Sequence, residues 1–115
     1  MIGGLHLVTK PEWTYVMDEG QLPENVMTVV FPYGIPVLLV KTGGGIHAVS
    51  NKCAHMGCTL SRGMLGGFIV ECPCHEWTFD IRTGAFVTAG EIKIPTYECK
   101  AANGKIYVNV KGAAR

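Results

Sequence analysis

Cys53, His55, Cys72 and His75 stand in two short segments whose spacing suits metal binding. One residue separates Cys53 from His55 within CAHMGC, residues 53–58, and two separate Cys72 from His75 within CPCH, residues 72–75. Each segment therefore offers a thiolate and an imidazole from one loop, with 16 residues (56 to 71) between His55 and Cys72. Zinc accepts two cysteines and two histidines in tetrahedral geometry. The same mixed set suits an iron–sulfur centre that must be easier to reduce than an all-cysteine one. A thiol–disulfide catalyst built on Cys72-Pro73-Cys74 finds little support, because no Cys-x-x-Cys opens a helix.

Rigid elements must bring these segments together. The chain's 15 glycines and 6 prolines break it into short apolar runs, the pattern of an all-β domain. Strands are expected at 13–17, 26–31, 36–41, 46–50, 68–72, 77–81, 95–100 and 105–110. Ile106, Val108 and Val110 alternate with Tyr107 and Asn109, as in a half-buried strand. Residues 42–45, Asn103-Gly104 and Arg82-Thr83-Gly84 are expected turns. Residues 18–24 form at most one helical turn. The stretch 51–67 reads as a glycine-punctuated loop and 72–76 as a second, both at one end of a small β-structure. A cluster-binding subdomain over about 51–84, inserted into a β base made of both termini, follows from this arrangement, within one domain spanning residues 1–115.

Composition narrows the class. A chain of 115 residues, 48% hydrophobic, is long enough for a modest core and argues against disorder. A formal net charge of +1 gives no reason to expect nucleic acid or an anionic membrane as partner. Residues 1–10 lack a basic segment followed by a long apolar run, and apolar stretches such as 35–40 are too short to span a bilayer. The expectation is a soluble, cytoplasmic protein with no membrane anchor in this chain. Five cysteines are an odd number for a pure disulfide framework, and four of them fall in the two histidine-containing segments. Cys99 stands apart and shares a strand face with Tyr97, so it reads as a buried, inert thiol. His6 reads as a solvated residue and His47 as an ordinary, partly buried histidine.

CAHMGC, the spacer, CPCH and the following Phe79-Asp80 and Thr83-Gly84 resemble the Rieske-type 2Fe–2S proteins. Gly63 and Gly67 in the spacer and residues 46–50 extend the likeness, which is dense over 46–84 and looser elsewhere. The resemblance implies an all-β Rieske fold: an antiparallel β-sandwich, of the iron–sulfur-protein-domain type, with a small inserted cluster-binding subdomain. It implies one 2Fe–2S cluster per chain, with Cys53 and Cys72 on the inner iron and His55 and His75 on the outer. Two ferric irons, two sulfides and two thiolates sum to zero charge, so an electron is accepted more easily than by a four-thiolate cluster. Reduction should raise the imidazole pKa values, so electron uptake can couple to protonation. By the same resemblance Cys58 and Cys74 are expected to form a disulfide that bridges the loops.

The neighbours of the ligands set the expected tuning. High-potential members resemble His-Gly-Ser-x-Tyr-Asp after the last ligand, with serine and tyrosine hydroxyls that donate hydrogen bonds to cluster sulfurs. Here the sequence runs His75-Glu76-Trp77-Thr78-Phe79-Asp80, so both hydroxyls are absent and the pattern is similar to oxygenase-type ferredoxins. Fewer donors leave the reduced state less stabilised, which places the potential at about −150 to +100 mV. Glu76 replaces the usual glycine, and its carboxylate is expected either to favour the oxidised cluster or to sit solvated at the surface. Residues 88–91 lack the proline-containing loop that covers the cluster in many members. Lys52, Arg62 and Arg82 balance Glu71, Glu76 and Asp80, so strong electrostatic steering is not indicated.

The resemblance implies a one-electron carrier rather than an enzyme, a ferredoxin passing electrons between a reductase and an oxygenase or other oxidoreductase. Met56, Gly57 and Trp77 would form an apolar rim for brief docking. A complete oxygenase also needs an iron held by two histidines and a carboxylate, and only His6 and His47 remain for it. Two other readings stay open at this stage: a small Rieske subunit of a larger oxidoreductase, and a structural zinc module.

Overall fold

The computed structural model describes residues 13–54, 57–74 and 76–110. Among the described residues eleven strands form two antiparallel sheets. The first contains β1 (Thr14–Asp18), β2 (Thr28–Val30), β3 (Val37–Thr42), β4 (Gly45–Ser50), β10 (Thr96–Ala102) and β11 (Lys105–Asn109). The second contains β5 (Met64–Gly66), β6 (Ile69–Glu71), β7 (Thr78–Asp80), β8 (Ala85–Phe86) and β9 (Ala89–Lys93). Strand orders are β1-β11-β10-β4-β3-β2 and β5-β6-β7-β8-β9. All eight expected strands are present, and the all-β antiparallel class holds. Residues 18–24 contain one 3-10 turn, Glu19–Gln21. No helix among the described residues is long and apolar enough to cross a membrane.

Strand β10 turns a corner in the first sheet. Its first residues pair with β4, Thr96 with Val49 and Tyr97 with Ala48, while Glu98 to Ala102 pair with β11. The sheet thus folds over itself into a sandwich. Inside it, Val37 and Leu39 of β3 meet Ala48, Ile106 and Val108. The opposite face of β3, Leu38 and Val40, joins Val49, Leu60, Val70, Phe79 and Ile81 in a second core. Val37 to Val40 are all fully buried. Such a continuous apolar run suits a strand covered on both faces rather than one.

Three strands were not expected from the sequence. The stretch 51–67 is not a plain loop: it holds a 3-10 turn at Leu60–Arg62 and strand β5. Strands β8 and β9 follow β7, so the segment 88–91 is part of a hairpin rather than an open flank. Each is short or rich in alanine, glycine and charge, so no apolar alternation announces it.

The two sheets are also joined by a peg of aromatic and charged groups. Phe68 packs on the β3–β4 turn, where Gly43 adopts φ +62° and any Cβ would collide with the ring. His47 meets Phe68 edge-on at 5.6 Å and the Arg82 guanidinium lies 4.2 Å above the ring. Arg82 is held by Asp80, with Nη2 to Oδ2 at 2.8 Å and Nε to Oδ1 at 3.0 Å. Burial lowers the His47 pKa, and the nearby Arg82 adds to this against a smaller opposing effect of Asp80. The hydrogen bond from Arg82 holds the Asp80 carboxyl below its ordinary range.

A histidine whose folded pKa is depressed binds a proton more readily unfolded. Its neutral form is therefore matched to the fold above about pH 6.5, and stability is lost as pH falls below that value. Denaturant midpoints measured from pH 7.5 to 5.5 should fall less steeply for His47→Gln than for wild type.

Candidate metal centre

The first loop is pinned at its root by Asn51, which is 5% exposed. Its backbone N–H donates to the Pro36 carbonyl at 3.1 Å and its carbonyl accepts from Leu60 N–H at 3.0 Å. Its side chain accepts from Ser61 N–H at 2.9 Å and donates to Ser61 Oγ at 3.1 Å. Both ends of the loop are thus fixed by one residue. Within it, Cys53 N–H donates to the Cys58 carbonyl at 2.8 Å and Gly57 N–H to the Cys53 carbonyl at 2.9 Å. Gly57 has φ +70°, a turn conformation that costs glycine little.

The second loop is the connection of the β6–β7 hairpin. Glu71 pairs with Thr78. Beyond them Cys72 N–H donates to the Trp77 carbonyl at 2.7 Å and Glu76 N–H to the Cys72 carbonyl at 3.2 Å. Glu76 is exposed and sits at φ +59°. A β-carbon is disfavoured there, so the position suits glycine, the residue that the sequence resemblance leads one to expect.

Cys58 and Cys74 are joined by a disulfide, with Cα atoms 6.5 Å apart and a sequence separation of 16. The expected bridge between the loops is present. Closing a loop of this size is worth roughly 3 kcal/mol in the chain-entropy picture. The sulfurs of Cys58, Cys72 and Cys74 lie within 4.8 Å of one another. The bonded pair has no thiolate to offer, so this trio is a thiol beside a disulfide and not a three-sulfur site.

Cys53 and Cys72 remain thiols, 3% and 1% exposed, in the same core cluster as Leu60, Val70 and Phe79. Two thiols at the roots of two covalently tied loops fit the donor chemistry of an iron–sulfur centre, which takes cysteine thiolates. His55, His75 and Met56 lie outside the described residues. Gly57 is exposed and Trp77 half-buried. Phe79 is fully buried, and its ring brings no hydroxyl to this region. Cys99 lies elsewhere: its thiol donates to the Ile46 carbonyl at 3.2 Å, and burial pushes its pKa up to about 11. A cavity of about 340 Å³ opens beside it, lined by His47, Ile81, Arg82 and Glu98 among others, and no residue of either cysteine loop lines it.

Sequence reasoning missed Asn51 and Phe86. Asn51 lies two residues before Cys53 and could have been read as a turn-forming residue. Phe86 carries no such signal: its partner across the sheet, Phe79, is set by pairing alone.

Two substitutions test the loop geometry. A Cβ on Gly63 would collide with the Glu71 carbonyl oxygen, one residue before Cys72. Gly63→Ala should therefore destabilise by about 1–3 kcal/mol in denaturant unfolding. Glu76→Gly should stabilise by up to about 1 kcal/mol in the same measurement, by relieving the left-handed backbone.

Comparison with known proteins agrees with this geometry. A family model, the Rieske [2Fe-2S] domain, matches residues 12–98. The ferredoxin component of the naphthalene 1,2-dioxygenase/salicylate 5-hydroxylase systems of Ralstonia sp is 33% identical over 91 residues, 78% of this chain and 88% of that protein. The solved ferredoxin of carbazole 1,9a-dioxygenase from Nocardioides aromaticivorans superposes with a TM-score of 0.74 at 31% identity, over 84% of this chain and 96% of that one. A chain in the complex of reduced oxygenase and oxidized ferredoxin in carbazole 1,9a-dioxygenase gives a TM-score of 0.77 at 25% identity, covering 84% of this chain and 92% of that one. On the match of its two cysteine-bearing loops, its sheets and most of its length, the chain belongs to the Rieske [2Fe-2S] domain family.

Proposed function

We propose that this protein is a one-electron carrier, a Rieske-type ferredoxin that passes electrons from a reductase to an oxygenase or related oxidoreductase. The observation that carries this reading is the pair of buried thiols, Cys53 and Cys72, on two loops locked together by the Cys58–Cys74 bridge. In this reading Cys53 and Cys72 hold one iron and His55 and His75 the other, one 2Fe–2S cluster per chain, within a cluster-binding subdomain over about residues 51–84. When bound, the cluster supplies a reversible one-electron couple.

The remaining residues set the conditions for that couple. Burial of both thiols keeps water from the sulfur side of the loops, and the disulfide limits how far the loops can separate. Trp77 and Phe79 stand where the high-potential pattern carries serine and tyrosine, and neither offers a hydroxyl. The partner classes follow from relatives that are components of dioxygenase systems and from a solved ferredoxin–oxygenase complex. Small interfaces suffice for such encounters.

Anaerobically purified protein should contain about two irons and two sulfides per chain and be coloured, as a two-iron, two-sulfide centre requires. After reduction it should give an electron paramagnetic resonance signal with an average g below that of an all-cysteine cluster. Colourless protein holding one zinc would overturn the reading. A redox titration should give a midpoint at about −150 to +100 mV, and Trp77→Ser with Phe79→Tyr should raise it. A midpoint near +300 mV, roughly the top of the family range, would contradict the tuning argument.

A further inference from the structure

Phe86 lies on β8, in the hairpin that sequence reasoning did not foresee. Its ring stacks on that of Trp77, with centroids 4.2 Å apart and planes 5° from parallel. Phe79 completes the group, 5.7 Å from Phe86 and 6.4 Å from Trp77. The register explains the meeting. Trp77 directly precedes β7, and two residues on Phe79 pairs with Phe86 across β7 and β8.

Trp77 is also the residue that closes the second loop. Its carbonyl accepts the Cys72 N–H at 2.7 Å, and one residue on, the Thr78 carbonyl accepts from Val87 N–H at 2.8 Å. Val87, just past β8, is thus bonded to the residue that follows this turn, and the Phe86 ring stacks on the residue that closes it. Trp77 and Phe86 both pack against the core that contains Cys53 and Cys72. Because the 88–91 segment is folded into this hairpin, Phe86 has a fixed position from which to hold the indole.

We propose that Phe86 is a positioning residue for the metal-binding loop. It holds the Trp77 ring, and through Trp77 the turn from Cys72 to Trp77, in the arrangement that binds the two-iron, two-sulfide centre. The inference rests on the function proposed above. Phe86 touches no ligand in this scheme and acts through its neighbour.

The test compares cluster-loaded wild type with Phe86→Ala, Phe86→Leu and Phe86→Tyr. Leucine keeps apolar bulk without stacking, and tyrosine keeps the stacked ring. Visible circular dichroism, midpoint potential and the rate of bleaching by an iron chelator are measured beside the thermal midpoint. Phe86→Leu should bleach about tenfold faster, with an altered visible spectrum and a shifted potential, and Phe86→Tyr should match wild type in all three. Phe86→Ala should follow leucine, and if it does not fold the leucine variant decides. Unchanged spectrum, potential and bleaching in Phe86→Leu overturn the inference, whether or not the thermal midpoint falls. So does a tyrosine variant that behaves like leucine. Loaded wild type with indifferent variants overturns this inference alone, whereas wild type that takes up no such centre overturns the proposed function and this inference with it.

Discussion

Everything in this molecule depends on β3 being buried on both faces. Val37 and Leu39 fill the sandwich made by the folded first sheet, while Leu38 and Val40 fill the space toward the second sheet. The same double duty falls to Ala48 and Val49 on β4. A strand that contributes to two cores ties their positions together, because moving it for one core would open the other. The second sheet is consequently held on the first as a solid layer. Phe68, seated on the β3–β4 turn between Arg82 and His47, strengthens this joint from the edge.

That rigidity matters because the two cysteine loops start from different sheets. The first leaves β4 of the sandwich, and the second connects β6 to β7. Backbone hydrogen bonds shape each loop locally, from Cys53 to Cys58 in one and from Cys72 to Trp77 in the other. None of those bonds joins one loop to the other. The Cys58–Cys74 bridge does so covalently, and the shared core around Leu60, Val70 and Phe79 does so by packing. Local bonds determine the form of each loop, and the core with the bridge determines their mutual position. A preorganised pair of loops binds a metal centre with less ordering cost than two mobile ones.

The surroundings of the second loop combine restraint with a concession. Trp77, Phe79 and Phe86 form an aromatic group beside Cys72, and they bring no hydroxyl to it. Glu76, by contrast, occupies a left-handed backbone conformation with a side chain attached. Non-glycine residues in that region tend to be retained where the surroundings over-determine the turn. Here the Glu76 N–H to the Cys72 carbonyl and the Cys72 N–H to the Trp77 carbonyl supply that determination. The loop holds its geometry at a small local cost in strain.

By itself the sequence determined the all-β class, eight of the strands and the family, because short apolar runs, turn residues and the Cys-x-His and Cys-x-x-His spacings are local signals. The Cys58–Cys74 pairing was legible only through family resemblance, since spacing alone leaves the pairing of five cysteines open. Strands β5, β8 and β9 were not legible: glycine, alanine and charge give them no alternation, and pairing with a neighbour is what makes them strands. Asn51 as a double anchor, Phe86 on Trp77, and the seating of Phe68 between His47 and Arg82 were decided only by the tertiary structure. Each joins residues that are brought together by strand register and layer packing, and those depend on the whole chain folding at once rather than on any stretch of it.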